Sequence, residues 1–207
     1  MIDAAAELGV TDVRFLGYDG SVPMVEREII EDIADVIGDV LPDIIITHNP
    51  NDSVPGHAVA TQMTLLAMEA ASGIRPGKHY PPHKSNQIFF HAHPGRTNVH
   101  ENDLLRIPTT IVDMTDAVQQ KASAMNKFTS QHYGDDSPLQ RKLSEVLDGL
   151  YGISARVPYA EAFIAYNPQT CKTLPVDYYD TGAAGSSMEE VYAHMTQMML
   201  DSYQPRG

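Results

Sequence analysis

Two histidines and an aspartate stand close together in a polar segment that follows a short apolar run. They are His48, Asp52 and His57, and the apolar run is residues 43–47. Neutral imidazole and carboxylate are ligands that zinc accepts in proteins, and both groups also transfer protons. A single histidine at a helix start more often forms a hydrogen bond with the preceding loop than binds a metal. The pattern of three nevertheless predicts a metal or acid/base site here.

The elements around these residues predict how they are positioned. Residues 43–47 are rich in β-branched side chains and follow a proline, which indicates a buried strand. Two prolines and a glycine mark the loop after it, and helix-forming residues resume at Ala58. In open α/β sheets, ligands bind beyond the carboxyl ends of the strands. A site in this loop therefore lies where such sheets bind their ligands.

Strands and helices alternate along the rest of the chain, which predicts an α/β fold with a mostly parallel sheet. We expect strands over 13–16, 43–47, 87–90 and 110–112, and helices over 3–8, 25–41, 57–71, 116–128, 137–150 and 188–203. Proline and glycine predict a long loop over 73–86, and a glycine- and serine-rich stretch at 182–187 predicts a linker.

Composition excludes several classes of function. The 207 residues include 27 acidic and 14 basic ones, and a net charge of −13 argues against nucleic-acid binding. No apolar run is long enough for a membrane span, and the first residues do not form a signal peptide, so we expect a cytoplasmic location. The single Cys171 excludes an intrachain disulfide and a thiolate zinc cluster, so any metal must use histidine and carboxylate.

Several segments resemble the LmbE/PIG-L family of zinc-dependent de-N-acetylases, in the same order as in that family. They are residues 4–10, 15–20, 43–57, 112–131 and 159–163, so the match spans roughly residues 1 to 165. The resemblance implies a Rossmann-like three-layer sandwich over residues 1–166, with 167–207 as a C-terminal extension that contains a helix. It also implies zinc or another divalent metal and a small-molecule substrate. A homo-oligomer stays open.

One part of the family pattern does not occur in this sequence. The family's first metal motif, His-Pro-Asp-Asp, supplies two of three protein ligands and the aspartate regarded as general base. We therefore expect that the N-terminal βαβ unit is missing and that the general base lies upstream of Met1. A misplaced start codon, a partner chain and a non-catalytic remnant are three explanations. The DNA upstream of Met1 distinguishes them.

The resemblance assigns roles to individual residues. His57 is the expected metal ligand. Asp52 either supports that histidine or only forms a turn, and His48 either faces the crevice or bonds a local carbonyl; these two are the catalytic candidates. Asp19, in an Asp-Gly turn, and His93 are the expected substrate-binding residues, although ordinary turn chemistry for Asp19 and a surface loop for His93 are the alternatives.

The chain departs from the deacetylase pattern just before His57. Typical members read His-Pro-Asp-His, and their first histidine can protonate the leaving amine. Val54 stands there in this chain, and valine cannot transfer a proton. This departure, with the loop before His93, resembles the 4-oxalomesaconate hydratase branch. The resemblance thus implies a deacetylase of an N-acetylated small molecule such as an amino-sugar derivative. A hydratase of an unsaturated dicarboxylate and a non-catalytic remnant or subunit are the alternatives.

Overall fold

The structure is a computed structural model. It describes residues 1–18, 24–92, 108–131, 133, 138–168, 170–173 and 185–200. The chain forms two compact units. The first comprises the described residues of Met1–Arg14, Ile111–Glu161 and Cys171–Gly207, and the second those of Phe15–Thr110 and Ala162–Thr170. The candidate residues His48, Asp52 and His57 all belong to the second unit.

Helices and strands alternate over much of the chain. The α-helices are α1 (Ile2–Glu7), α2 (Arg27–Val40), α3 (Pro55–Ser72), α4 (Val118–Asn126), α5 (Pro138–Leu143), α6 (Gly149–Ala155) and α7 (Met188–Met195). The strands are β1 (Ile44–Thr47), β2 (Gln87–His91), β3 (Thr110–Asp113) and β4 (Ala160–Ala165). Short 3₁₀ turns cover Thr115–Ala117 and Thr129–Gln131, and a π-helical turn over Ser144–Asp148 joins α5 to α6.

The strands form one sheet in the order β1-β2-β4-β3. β1 and β2 are parallel, with Ile44 opposite Gln87 and Thr47 opposite Phe90. β4 runs antiparallel to β2, with His91 opposite Phe163. The predicted α/β fold is confirmed, and its sheet combines parallel and antiparallel pairs.

Packing of α2 on α3 holds the second unit together. Both helices bury small or branched residues at helical spacing, namely Ala34 and Ile37 of α2 and Ala67 and Ala71 of α3. Ile45 of β1 packs against the same cluster, whereas its neighbours Ile44 and Ile46 are exposed. Successive strand residues face opposite sides of a sheet, which explains this alternation. The buried cluster therefore fixes the second half of α3 against α2 and β1, and His57 lies at the opposite end of the same helix.

The first unit has its own core. Its buried apolar residues are Met114, Val118, Ala122, Tyr159 and Leu200. The hydroxyl of Tyr159 donates to Glu145 Oε2 at 2.9 Å and accepts the Met199 N–H at 3.0 Å. This one buried hydroxyl ties the C-terminal part of the described chain to the helices of the same unit.

Some predicted elements differ from the observed ones. Residues 13–16 form no strand, because no strand among the described residues lies beside them to complete the hydrogen bonds. Phe15 is 59% exposed, unlike a residue of a buried strand. The last helix ends at Met195, before the predicted end, and the Thr196 hydroxyl donates to the Tyr192 carbonyl. Among the described residues, no helix has the length and apolar character needed to cross a membrane.

Candidate metal and acid/base site

The polar loop after β1 brings His48, Asp52 and His57 together. His48 is the first residue beyond β1, Asp52 lies in the loop, and His57 is the third residue of α3. One potential ligand atom from each residue lies within 4.8 Å of those of the other two. Within the described part of the chain, no other group of three histidine, cysteine or acidic side chains is arranged to hold a metal ion.

Asp52 holds the ring of His57 in place. Asp52 Oδ2 lies 3.0 Å from His57 Nδ1, and Asp52 Oδ1 accepts the Val54 N–H at 2.8 Å. A carboxylate on Nδ1 places the ring proton there and leaves Nε2 with its lone pair. Asp52 is buried and His57 is partly exposed. This is the arrangement in which a metal-binding histidine is oriented by an acidic partner.

The electrostatic state of Asp52 follows from the same contacts. Burial by itself raises the pKa of this carboxyl, but the Val54 N–H and the imidazoles of His57 and His48 outweigh it, and the pKa lies below its ordinary value. Asp52 is therefore an anion at neutral pH. It can accept a hydrogen bond from His57 but is a poor proton donor.

His48 stacks on His57. The two ring centroids are 3.9 Å apart, and the ring planes differ by 7°. Lone pairs of imidazole nitrogens lie in the ring plane, so an ion in the plane of one ring lies outside the plane of the other. Zinc–nitrogen bonds are short and follow the lone pair. In this arrangement His57 and His48 do not both point at one ion, and His57 is the better placed ligand.

Backbone and side-chain bonds inside the loop fix these positions. Asn49 is buried, its carbonyl accepts the Asp52 N–H at 3.0 Å, and its side-chain oxygen accepts the Asn51 N–H at 2.9 Å. The Val54 carbonyl accepts the His57 N–H at 3.0 Å, at the start of α3. The loop is thus a series of tight turns, and both turn formation and support of His57 apply to Asp52.

The donor set suits a zinc ion in part. Imidazole and carboxylate are the right ligand types, and Asp52 orients His57, but catalytic zinc sites use three protein ligands. The structure supplies one histidine with a correctly held ring, whereas both oxygens of Asp52 are engaged and His48 is stacked on His57. The cluster therefore fits one side of a metal site.

Two predicted substrate-binding residues cannot be compared with this site. Asp19 and His93 lie outside the described residues. His91, the histidine next to the expected one, lies in β2 with its ring edge-on to Phe163 at 5.9 Å between centroids. Val54 is the residue before α3 and is 39% exposed. Its side chain has no proton to give to a leaving group.

The structure contains a second charged cluster that the sequence patterns did not predict. Lys121 Nζ lies 2.9 Å from Asp148 Oδ2 and 2.5 Å from Glu161 Oε1, and all three residues belong to the first unit. The Lys121 side chain is only 25% exposed, so it is not a solvent-facing helix lysine. The available signal was its position on α4 between Val118 and Ala122, on the face that faces the core.

Comparison with known proteins supports the family resemblance and the α/β fold. A sequence profile of the PIG-L family, described as GlcNAc-PI de-N-acetylase, matches residues 1–68. The conserved protein TT1542 of Thermus thermophilus has a similar structure, with a TM-score of 0.67 and 20% identity over 86% of this chain and 74% of that one. The resemblance to the LmbE/PIG-L family is confirmed.

Two further solved structures share the LmbE/PIG-L-like fold. The hydratase GalB of Pseudomonas putida, a 4-carboxy-2-hydroxymuconate hydratase, has a TM-score of 0.67 and 16% identity over 84% of this chain and 72% of that one. The N,N'-diacetylchitobiose deacetylase of Pyrococcus horikoshii has a TM-score of 0.52 and 21% identity over 79% and 60%. No curated protein matches the chain at a significant level of sequence similarity.

Proposed function

We propose that this chain carries part of the active site of a metal-dependent hydrolase of the LmbE/PIG-L type. It would deacetylate an N-acetylated small molecule such as an amino-sugar derivative. The observation that carries the proposal is His57 at the start of α3, its Nδ1 held by a buried, ionised Asp52 at the carboxyl end of β1. The family profile covers the same segment, which supports the assignment.

In this proposal each residue of the cluster has a separate role. His57 would hold the ion through Nε2, and Asp52 would keep the proton on Nδ1. When bound, the metal would act as a Lewis acid and activate water. Both oxygens of Asp52 are already engaged and its pKa is lowered, so of the two acid/base candidates His48 is better suited to move a proton. Asp19 and His93 remain the proposed substrate-binding residues.

A hydratase that acts on an unsaturated dicarboxylate is the second candidate. Val54 favours it, because amide hydrolysis needs an acid for the leaving amine and the valine side chain has no proton to give. Similarity in fold to a hydratase also supports it. A non-catalytic remnant or a subunit that needs a partner is the third candidate.

Two assays separate these candidates. The chain, with any in-frame sequence that precedes Met1 in its gene, is incubated with zinc and either N-acetylglucosamine derivatives or an unsaturated dicarboxylate. Release of acetate supports the deacetylase, and loss of conjugated-diene absorbance supports the hydratase. Absence of both activities from a folded, zinc-loaded protein favours the non-catalytic alternative.

Zinc binding tests the role of His57 directly. We expect the 207-residue chain to bind zinc weakly, because one well-oriented histidine is fewer than the three ligands of a catalytic site. His57→Ala should abolish that binding in isothermal titration calorimetry and abolish activity in the assays. His79→Ala is the control, since His79 is an exposed histidine of the same unit. Equal zinc affinity in His57→Ala and His79→Ala would remove the basis of the assignment.

A further inference from the structure

We propose that Thr61 is a positioning residue for the His48–His57 pair. Its buried hydroxyl would set the point at which the chain leaves β1, and with it the stacking of the two rings. The inference rests on the proposed function, since it concerns the same site. The Thr61–His48 bond and the ring stack are formed by the protein alone, so they can be measured without metal.

Thr61 is fully buried in α3 and bonds the end of β1. Its Oγ1 donates to the His48 carbonyl at 2.8 Å and lies 3.3 Å from Thr47 Oγ1. A threonine hydroxyl has a single proton. Because that proton goes to His48, Thr47 must be the donor in the second bond. Thr61 therefore connects α3 to two successive residues, the last of β1 and the first beyond it.

The position of Thr61 on α3 gives this bond its effect. Thr61 follows His57 by four residues, so both side chains lie on one face of the helix. Thr47 is the last residue of β1 that pairs with β2, opposite Phe90. The bond to His48 therefore holds the first residue after the ladder against the helix face that carries His57. This placement would bring the two rings into their stack, in which the ring centroids are 3.9 Å apart.

A neighbouring threonine shows the ordinary alternative. The Thr64 hydroxyl donates to the Ala60 carbonyl at 2.8 Å, one turn earlier in the same helix. Threonines inside helices commonly form that bond. Thr61 instead gives its proton to a different element. Thr64 is thus a matched control in the same helix, with a hydroxyl that does not reach the loop.

The test measures ring geometry and metal affinity in the 207-residue chain. Thr61→Val keeps the shape and removes the hydroxyl, Thr61→Ser keeps the hydroxyl, and Thr64→Val is the control. Nitrogen–proton correlation spectra of the histidine rings, recorded without metal and assigned with His48→Gln and His57→Gln, report the stack. Calorimetry then gives the zinc affinity.

We expect Thr61→Val to move the His48 and His57 ring signals and to weaken zinc binding about tenfold, in the range typical of groups that orient metal ligands. Thr61→Ser should restore both readouts to within about twofold of the parent chain, and Thr64→Val should leave both unchanged. A folded Thr61→Val variant with parental ring signals and parental zinc affinity would overturn the proposal, because a merely stabilising hydroxyl predicts that result.

Two further outcomes remain decisive. If Thr61→Val does not fold, Thr61→Cys replaces it, since a thiol is a weaker donor of similar size. The ring signals of Thr61→Cys should then move, and parental signals would again refute the role of Thr61. If the parent chain binds no zinc at all, the proposed metal function fails, whereas the ring signals still decide whether Thr61 positions the pair.

Discussion

Two clusters of charged or titratable side chains differ in how many of their donor and acceptor atoms are already bonded within the cluster. In the loop cluster of His48, Asp52 and His57, one carboxylate holds one ring, and the ring keeps a second nitrogen. In the ion cluster of Lys121, Asp148 and Glu161, one ammonium group donates to two carboxylates at 2.5–3.1 Å. An arrangement with a donor atom left over suits a ligand, and one with its cation fully engaged suits stability.

The pKa values of the two buried aspartates follow the same contrast. The pKa of Asp52 is lowered, because a backbone N–H and two imidazoles outweigh its burial. The pKa of Asp148 is raised, because burial and the nearby Glu161 charge outweigh the attraction of Lys121, which Asp148 must share. The pKa of Lys121 is raised, since two carboxylates outweigh its own burial. The two carboxylates therefore both depend on Lys121.

Replacing Lys121 should lower the free energy of unfolding more than any other change proposed for the two clusters. Lys121→Met would leave two partly buried carboxylates without a cation, and breaking such a group costs about 3 kcal/mol of unfolding free energy. Urea unfolding followed by circular dichroism measures it. Lys127→Met is the matched control, because the Lys127–Glu7 pair is exposed and should cost less than about 1 kcal/mol. Equal losses of unfolding free energy in the two variants would show that the ion cluster stabilises the fold no more than an exposed ion pair does.

Replacing Asp52 should instead affect metal binding more than stability. In Asp52→Asn, an amide N–H can face His57 Nδ1, which favours the tautomer with a proton on Nε2. We expect zinc affinity to fall about 10- to 100-fold, as for other lost partners of metal-binding histidines. Calorimetry measures it, and Asp43→Asn is the control because Asp43 bonds Asn86 outside the cluster. A loss of stability without a loss of zinc affinity would show that Asp52, like the ion cluster, serves stability and not metal binding.

The ion pairs of Asp35 should make a smaller contribution to stability, and that contribution should depend on pH. Burial raises its pKa, but Arg75 at 2.7 Å and Lys78 at 2.5 Å outweigh that, so the pKa is lowered. A lowered pKa means that the folded state favours the anion. Its stabilisation is therefore present above the unfolded-state pKa of about 3.9 and is lost as pH falls through the lower folded-state value.

The corresponding measurement compares unfolding free energies between about pH 7 and about pH 2.5. Asp35→Asn should be less stable than the parent by about 1 kcal/mol at neutral pH, and the difference should shrink toward the acidic end. Asp12→Asn is the control, because Asp12 pairs with Arg14 at the surface and should show a smaller pH-dependent difference. A constant gap for Asp35→Asn across this range would mean that the charge of Asp35 is not its source.

Local patterns in the sequence predicted the elements that carry the loop cluster. The β-branched run at 43–47 became β1 over Ile44–Thr47, and the helix expected from His57 became α3 over Pro55–Ser72. These predictions agree with the structure because side-chain periodicity, proline and glycine act within a few residues of the chain. The same local pattern at 13–16 predicted a strand that the structure lacks, because a strand also needs a neighbour.

Residue types and spacing were enough to predict the α/β fold, the family resemblance and the grouping of His48, Asp52 and His57 from the end of β1 to the first turn of α3. The packing of the elements, by contrast, sets the stacking of His48 on His57 and the bond from Thr61 of α3 to His48. The same packing brings Lys121 to Asp148 and Glu161, which are 27 and 40 residues away along the chain. Contacts of this kind depend on which elements pack together, and residue types and spacing do not specify that.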